Sequence, residues 1–347
     1  MKQCCLVSFW RFWRQKLVHV LASIFVIACA TLPSVTSATK SPIHHYVFFG
    51  RDRDRISEIG FLSTAKFEGA QLMYAWKELE TDEDVYDFTE IQRDLDFLNS
   101  KGKKLFIQLQ DTTFNPTSTA VPKYLLTPKF HGGVVYQYDG TGNPEGRVLM
   151  RWDPVVRNRL HKLLNALGKS FDGKIAGIAL QETSIGVTED GPNAPKDFSY
   201  PAYRDSILMN MKVLREAFSK SLPMQYANFM PGEWLPDNDK SYLRSVFEYG
   251  AKNGVAVGAP DLMPKKPNQL NHAYRFMHES GCPTIFGIAV QDGNYTGTTG
   301  EDTKPTSPWP NIVPDLYAFA NDYLKVTYIF WSAQEPYFSH DVVPYFR

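Results

Sequence analysis

The sequence predicts an α/β protein of one domain, a (β/α)8 TIM barrel. Three observations predict it: eight short apolar runs, amphipathic stretches between them, and polar or aromatic residues gathered where the runs end. The runs are His45–Gly50, Gln71–Ala75, Lys104–Leu109, Ile175–Leu180, Met224–Met230, Val255–Ala259, Thr284–Val290 and Val326–Trp331. They are apolar on both faces, as a parallel sheet covered by helices requires. Between them, Ile91, Leu95 and Leu98 share a helical face, as do Val156, Leu160, Leu163 and Leu164. Ile207, Met211, Leu214 and Phe218 repeat the pattern, and so do Leu316, Phe319, Ala320 and Tyr323. Such stripes pack onto a sheet. Gly102, Gly173 and Gly281 close three of these segments before the next run. Strand and helix alternating in this way imply a barrel. An open doubly wound sheet is the rival, but no glycine-rich dinucleotide fingerprint follows the first run. Only 16 residues follow Trp331, so the last helix must be short or missing.

The first 38 residues read as an export signal rather than as fold. Lys2, Arg11, Arg14 and Lys16 form a basic start, Leu17 to Ala30 an apolar core, and Thr36-Ser37-Ala38 a small-residue exit. The core is shorter than the roughly twenty residues of a membrane span. Val26-Ile27-Ala28-Cys29 offers a second exit, the pattern at which bacterial lipoproteins are cut and lipidated on cysteine. Either route takes the chain out of a bacterial cytoplasm, to the periplasm, the medium or the outer surface. A lipid anchor on Cys29 is the one membrane attachment expected. The barrel is then 39–347. It keeps 33 cationic against 37 acidic side chains, a balance that argues against nucleic acid or anionic membrane as partner. Of four cysteines only Cys282 lies in the body, so no internal disulfide is expected. No His-x3-His pair or cysteine cluster calls for a metal, and no cofactor is expected.

Catalytic groups of such barrels sit where strands end. The run ends carry Arg51 and Asp52, Trp76 and Glu78, Gln110 and Asp111, Gln181 and Glu182, Asn228, Asp261, Gln291 and Asp292, and Trp331 with Gln334 and Glu335. Amides and carboxylates hydrogen-bond hydroxyls and indoles cover sugar rings, so this edge suits a carbohydrate. Two long loops, Thr112–Met150 and Gly293–Asn311, enlarge it. Trp234 and Trp309 stand in loops that could form a rim. His44-His45 could touch substrate, and His272 and His278 should share a solvent-facing helix side.

Three stretches carry a family resemblance. MYAWKELETDEDVYDFTEIQRDLDFLNSKGKKLFIQL (73–109) resembles the second and third strands of the clan of retaining (β/α)8 glycoside hydrolases, which includes cellulases, β-mannanases and β-galactosidases. IAGIALQETSIG (175–186) resembles that clan's fourth strand, and YIFWSAQEPYF (328–338) its eighth. The resemblance implies Glu182 as general acid/base and Asp292, 110 residues later in TIFGIAVQDGNY, as nucleophile. It departs from the clan twice. Gln181 stands where Asn is usual, and Asp292 where Glu is usual.

The chemistry needs a protonated carboxyl at the leaving oxygen and a second that attacks or activates water. The shorter Asp292 leaves both retention, which the clan favours, and inversion open. Glu335 is the reserve carboxylate. Trp331 and Trp76 are candidate sugar platforms, and Gln181, Asp111, Asp261, Asn228 and Gln291 candidate substrate contacts. Two rivals stand beside a hydrolase of extracellular poly- or oligosaccharide. One is a non-catalytic, cell-surface carbohydrate-binding barrel, which the two departures favour. The other is a metal-dependent barrel enzyme, which would need histidines at strand ends that the later strands lack.

Overall fold

Each apolar run becomes a strand of one closed parallel sheet. In the computed structural model, which describes residues 42–280, 284–298 and 309–347, these are β1 (His44–Gly50), β2 (Phe67–Ala75), β3 (Lys104–Gln110) and β4 (Gly177–Leu180). They continue as β5 (Leu222–Tyr226), β6 (Ala256–Ala259), β7 (Phe286–Val290) and β8 (Tyr328–Ser332). Every strand pairs with its neighbour in sequence, and β8 returns to β1 with Trp331 opposite Val47. This is the expected (β/α)8 barrel. The segment read as an export signal, with Cys29, lies outside the described residues, as does Cys282.

The helices follow the strands: α1 (Ile59–Ser63), α2 (Thr89–Ser100), α3 (Pro154–Phe171), α4 (Tyr200–Ala217), α5 (Tyr242–Asn253), α6 (Ala273–Glu279) and α7 (Val313–Ala318). The eighth, α8 (Val343–Phe346), is short, as the brief tail after Trp331 requires. Local chemistry sets the ends of the long ones. Asp153 accepts from Val155 N and Val156 N at the start of α3, with Pro154 at the first helical position. The α3 stripe Val156, Leu160, Leu163, Leu164 is buried to 2 % exposure or less, the result of its helical spacing.

Inside the barrel, alternate residues of the strands fill the lumen. Tyr46, Phe106, Ala179, Met224, Tyr226, Ala289 and Phe330 pack together there. Large rings need small partners. A Cβ at Gly177 would stand 2.5 Å from the ring of Phe106, so that position holds glycine. Higher in the lumen, Gln71 donates to the Tyr226 hydroxyl at 3.0 Å, and this buried polar pair floors the mouth.

The loop from β3 to α3 carries an antiparallel hairpin, Val134–Tyr138 with Pro144–Leu149. It leans on the loop after β4. Tyr138 N donates to Gly186 O at 2.8 Å, and a Cβ at Gly186 would meet Tyr138 O at 2.1 Å. Close backbone approach therefore requires glycine at 186. Hairpin and loop together build one wall above the C-terminal ends of the strands.

Candidate active site

Glu182 follows β4 by two residues and turns into the mouth of the barrel. It shares a cavity of about 680 Å3 with Asp261, Gln291 and Asp292, beside Arg51 and the exposed ring of Phe114. Burial is the largest influence on the Glu182 carboxyl and pushes it up to about 7 from 4.5. The nearby Asp261 charge adds to the rise, while the Asn228 amide and the Arg151 guanidinium oppose it. A carboxyl so placed holds its proton near neutral pH, the condition of a general acid.

Asn228 and Arg151 fix Glu182 from two sides. Asn228 Nδ2 donates to Glu182 Oε2. Its Oδ1 accepts from Phe229 N at 2.9 Å and Ser184 N at 3.2 Å, which sets the orientation of the amide. Arg151 arrives from the end of the hairpin loop. Its Nη1 donates to Glu182 O at 3.0 Å and to the Tyr203 hydroxyl at 2.9 Å. Its Nε and Nη2 grip the Asp111 carboxylate at 2.8 and 2.5 Å. The sequence reading passed over Arg151. Its local signal is slight, a cation flanked by Met150 and Trp152.

Asp292 sits just past β7. Its Oδ1 accepts from Ser332 Oγ at 2.5 Å, and it caps no part of the turn that follows it. That turn is held by Gln334, whose Oε1 accepts from Gly293 N. Asp261, after β6, accepts from Asn294 Nδ2 at 3.1 Å, and burial raises its carboxyl against the lowering pull of Asn294 and Lys266. Asn294 is buried and saturated. Its Oδ1 also accepts from Leu262 N and Gln291 N, tying the β6 and β7 loops together.

Other sequence candidates lie elsewhere. Trp331 is fully buried on the outer face of β8, because Phe330 and Ser332 take the inward positions. Its Nε1 donates to His45 Nδ1 and its ring meets Phe346, so it is core and no sugar platform. Trp76 is also core, its indole donating to the buried Glu80. Glu335 is exposed, held by Arg55 at 3.3 Å and by Ser339 Oγ at 2.6 Å, and does not line the cavity. Gln181 spends its amide oxygen on Asp111 N and Thr112 N. Asp111 is bound to Arg151. Both are thus supports of the site rather than substrate contacts. His44 and His45 lie at the opposite end of β1, His44 paired with Glu68. His272 is buried, not solvent-facing, and its Nε2 accepts from Leu235 N.

Among the described residues no group of three or more His, Cys, Asp or Glu side chains is arranged to hold a metal ion.

No family model matches the chain, and no curated protein matches it by sequence. Solved structures match the fold. The β-galactosidase of Bacillus circulans sp. alkalophilus is similar with a TM-score of 0.55 at 12% identity, over 86% of this chain and 51% of that one. The β-galactosidase of the Antarctic haloarchaeon Halorubrum lacusprofundi gives 0.54 at 12%, over 83% and 52%. A GH5_18 protein of Streptomyces cattleya, solved in complex with GlcNAc, gives 0.52 at 9%, over 84% and 70%. The chain has the barrel fold of glycoside hydrolases. It spans about half the length of the two β-galactosidases.

Proposed function

We propose that this chain is an exported glycoside hydrolase that cleaves O-glycosidic bonds of an extracellular poly- or oligosaccharide with two carboxyl groups. The observation that carries the proposal is Glu182: a carboxyl raised to about 7, held by Asn228, facing the same cavity as Asp292. The shared barrel fold of the glycoside hydrolases supports it.

In this reading each step has its own oxygen. Asn228 occupies Oε2 of Glu182, so Oε1 carries the proton and delivers it to the glycosidic oxygen. Ser332 occupies Oδ1 of Asp292, so Oδ2 attacks the anomeric carbon, or draws a proton from water that does. In the retaining course, which the clan resemblance favours, a glycosyl ester forms on Asp292 as the sugar–oxygen bond breaks. Glu182, now ionised, then takes a proton from the water that releases it. In the inverting course Asp292 acts once, as base. No cofactor enters either course.

A carbohydrate-binding barrel without catalysis is the second reading. The turned-away amide of Gln181 favours it, because the clan's Asn partner to the sugar is missing. One experiment separates the two: reducing-end release from a panel of plant and bacterial polysaccharides, with the wild-type chain and Glu182→Gln. Release by the wild type alone supports the hydrolase. Binding without release by either supports the second reading.

A further inference from the structure

A second cavity of about 810 Å3 opens beside the first. Asp261 lines both, and Asn228 and Ser184, which flank Glu182, face the second. Glu182 itself lines the first hollow and its neighbours Ser184 and Asn228 the second, and each hollow is within the roughly 300–1,000 Å3 of ordinary ligand sites. The second contains an aromatic surface that the fold does not use. Trp234 lines this hollow and is 48% exposed, in a protein whose Trp76 and Trp331 are fully buried.

Trp234 is not loose. Its ring stacks on Phe229 with centroids 5.7 Å apart and planes 10° from parallel, and meets His272 at 4.9 Å. His272 is fixed in turn, its Nδ1 donating to Asn268 O and its Nε2 accepting from Leu235 N. The backbone of Trp234 exchanges hydrogen bonds with that of Asn238, at 3.1 and 2.7 Å. Glu233, one residue before, accepts from Tyr242 N and Leu243 N and caps α5. A rigid, half-exposed indole loses little conformational freedom when a flat apolar face settles on it.

We infer that this second hollow is the leaving-group site, with Trp234 as platform for a sugar ring, so that the substrate is a carbohydrate chain cut internally. The inference rests on the proposed hydrolase. Asp292 lines only the first hollow, so the sugar whose anomeric carbon is attacked lies there. The acid must stand at the oxygen that departs, on the far side of that carbon. Beyond Glu182 on that side lies the hollow of Trp234. A small aglycone would leave most of it empty. A chain of sugars fills it, with hydroxyls toward Asp261 and the Ser184 backbone and one ring face on the indole.

The test is binding, in the non-hydrolysing Glu182→Gln chain, of xylo-, cello-, manno- and galacto-oligosaccharides of one to six units by calorimetry. Affinity for one of these series rises with length beyond two units. Trp234→Ala abolishes that gain, weakening the longest members by about tenfold or more, while Trp234→Phe keeps part of it. Equal melting temperatures of the three proteins exclude a folding defect. Length-independent affinity, or a length dependence that survives Trp234→Ala, overturns the inference and leaves the hydrolase reading standing. Length-dependent binding through Trp234 in a wild-type chain that cleaves nothing removes the hydrolase and keeps the site.

Discussion

Asn228 donates to Glu182 while its own carbonyl oxygen accepts from Ser184 N and Phe229 N, so the end of β5 orients the carboxyl that ends β4. The donated bond favours the ionised form. Asn228→Ala should lower kcat/KM by about 10–100-fold, less than the roughly 100–10,000-fold of a general acid's whole contribution, because Glu182 itself remains. It should also move the alkaline limb of the pH profile upward from about pH 7. A fall in rate with an unmoved limb would mean that Asn228 acts on packing alone.

Glu182 should lower stability in the form the enzyme has above neutral pH. Its folded value, about 7, exceeds the ordinary 4.5, so the folded state holds the proton longer. Its contribution is fully present below pH 4.5 and is lost as pH rises through 7. Glu182→Gln, which cannot ionise, should therefore be more stable than wild type at pH 8, by up to about 3 kcal/mol. At pH 4 the two should nearly coincide. Urea unfolding at both values measures the difference.

Arg151 and Asp111 form a buried pair, 2.5 Å at the closest, that holds the backbone of Glu182. Arg151→Leu strands the Asp111 carboxylate and should cost about 3–5 kcal/mol. The double variant Arg151→Leu with Asp111→Leu should recover much of that stability and none of the activity. Thermal melting and residual hydrolysis, measured on both variants, check the two halves.

The barrel was legible because its signals are local and repeated. Eight apolar runs and the helical stripes between them survive any uncertainty about loops, and the run ends located Glu182, Asp261, Gln291 and Asp292 in one cavity. Orientation was less legible. Trp331 reads as a candidate sugar platform, yet strand parity with Phe330 and Ser332 sends it outward, a period-2 argument available in the sequence. Glu335 lies three residues past the last strand, where Arg55 and Ser339 hold its side chain at the surface, away from the cavity. Arg151 and Asn294 are different in kind. Their roles depend on loops 40 and 33 residues from their partners Asp111 and Asp261, contacts that no local pattern announces.

Glu335 supplies a control that the cavity residues cannot. Held by Arg55 and Ser339 at the surface, Glu335→Gln should keep activity within about twofold and cost at most about 1 kcal/mol. Asp292→Asn, changed by the same single atom, should lose at least about a thousandfold, since the proposed mechanism gives the second carboxyl a part in the bond-breaking step. Parallel rates on one substrate decide between the two carboxylates.

The central claim is that Glu182 delivers the proton to the leaving oxygen. The measurement that meets it most directly is kcat/KM, which reports the bond-breaking step in either course, of Glu182→Gln against wild type on aryl glycosides and glycobiosides of graded leaving-group acidity. Dinitrophenolate departs without a proton; an unactivated phenol or a sugar needs one. The account predicts near-normal glycosyl transfer from dinitrophenyl substrates, and a deficit that grows to about a hundredfold or more as the leaving group becomes more basic. A deficit independent of the leaving group, or no deficit at all, would contradict it.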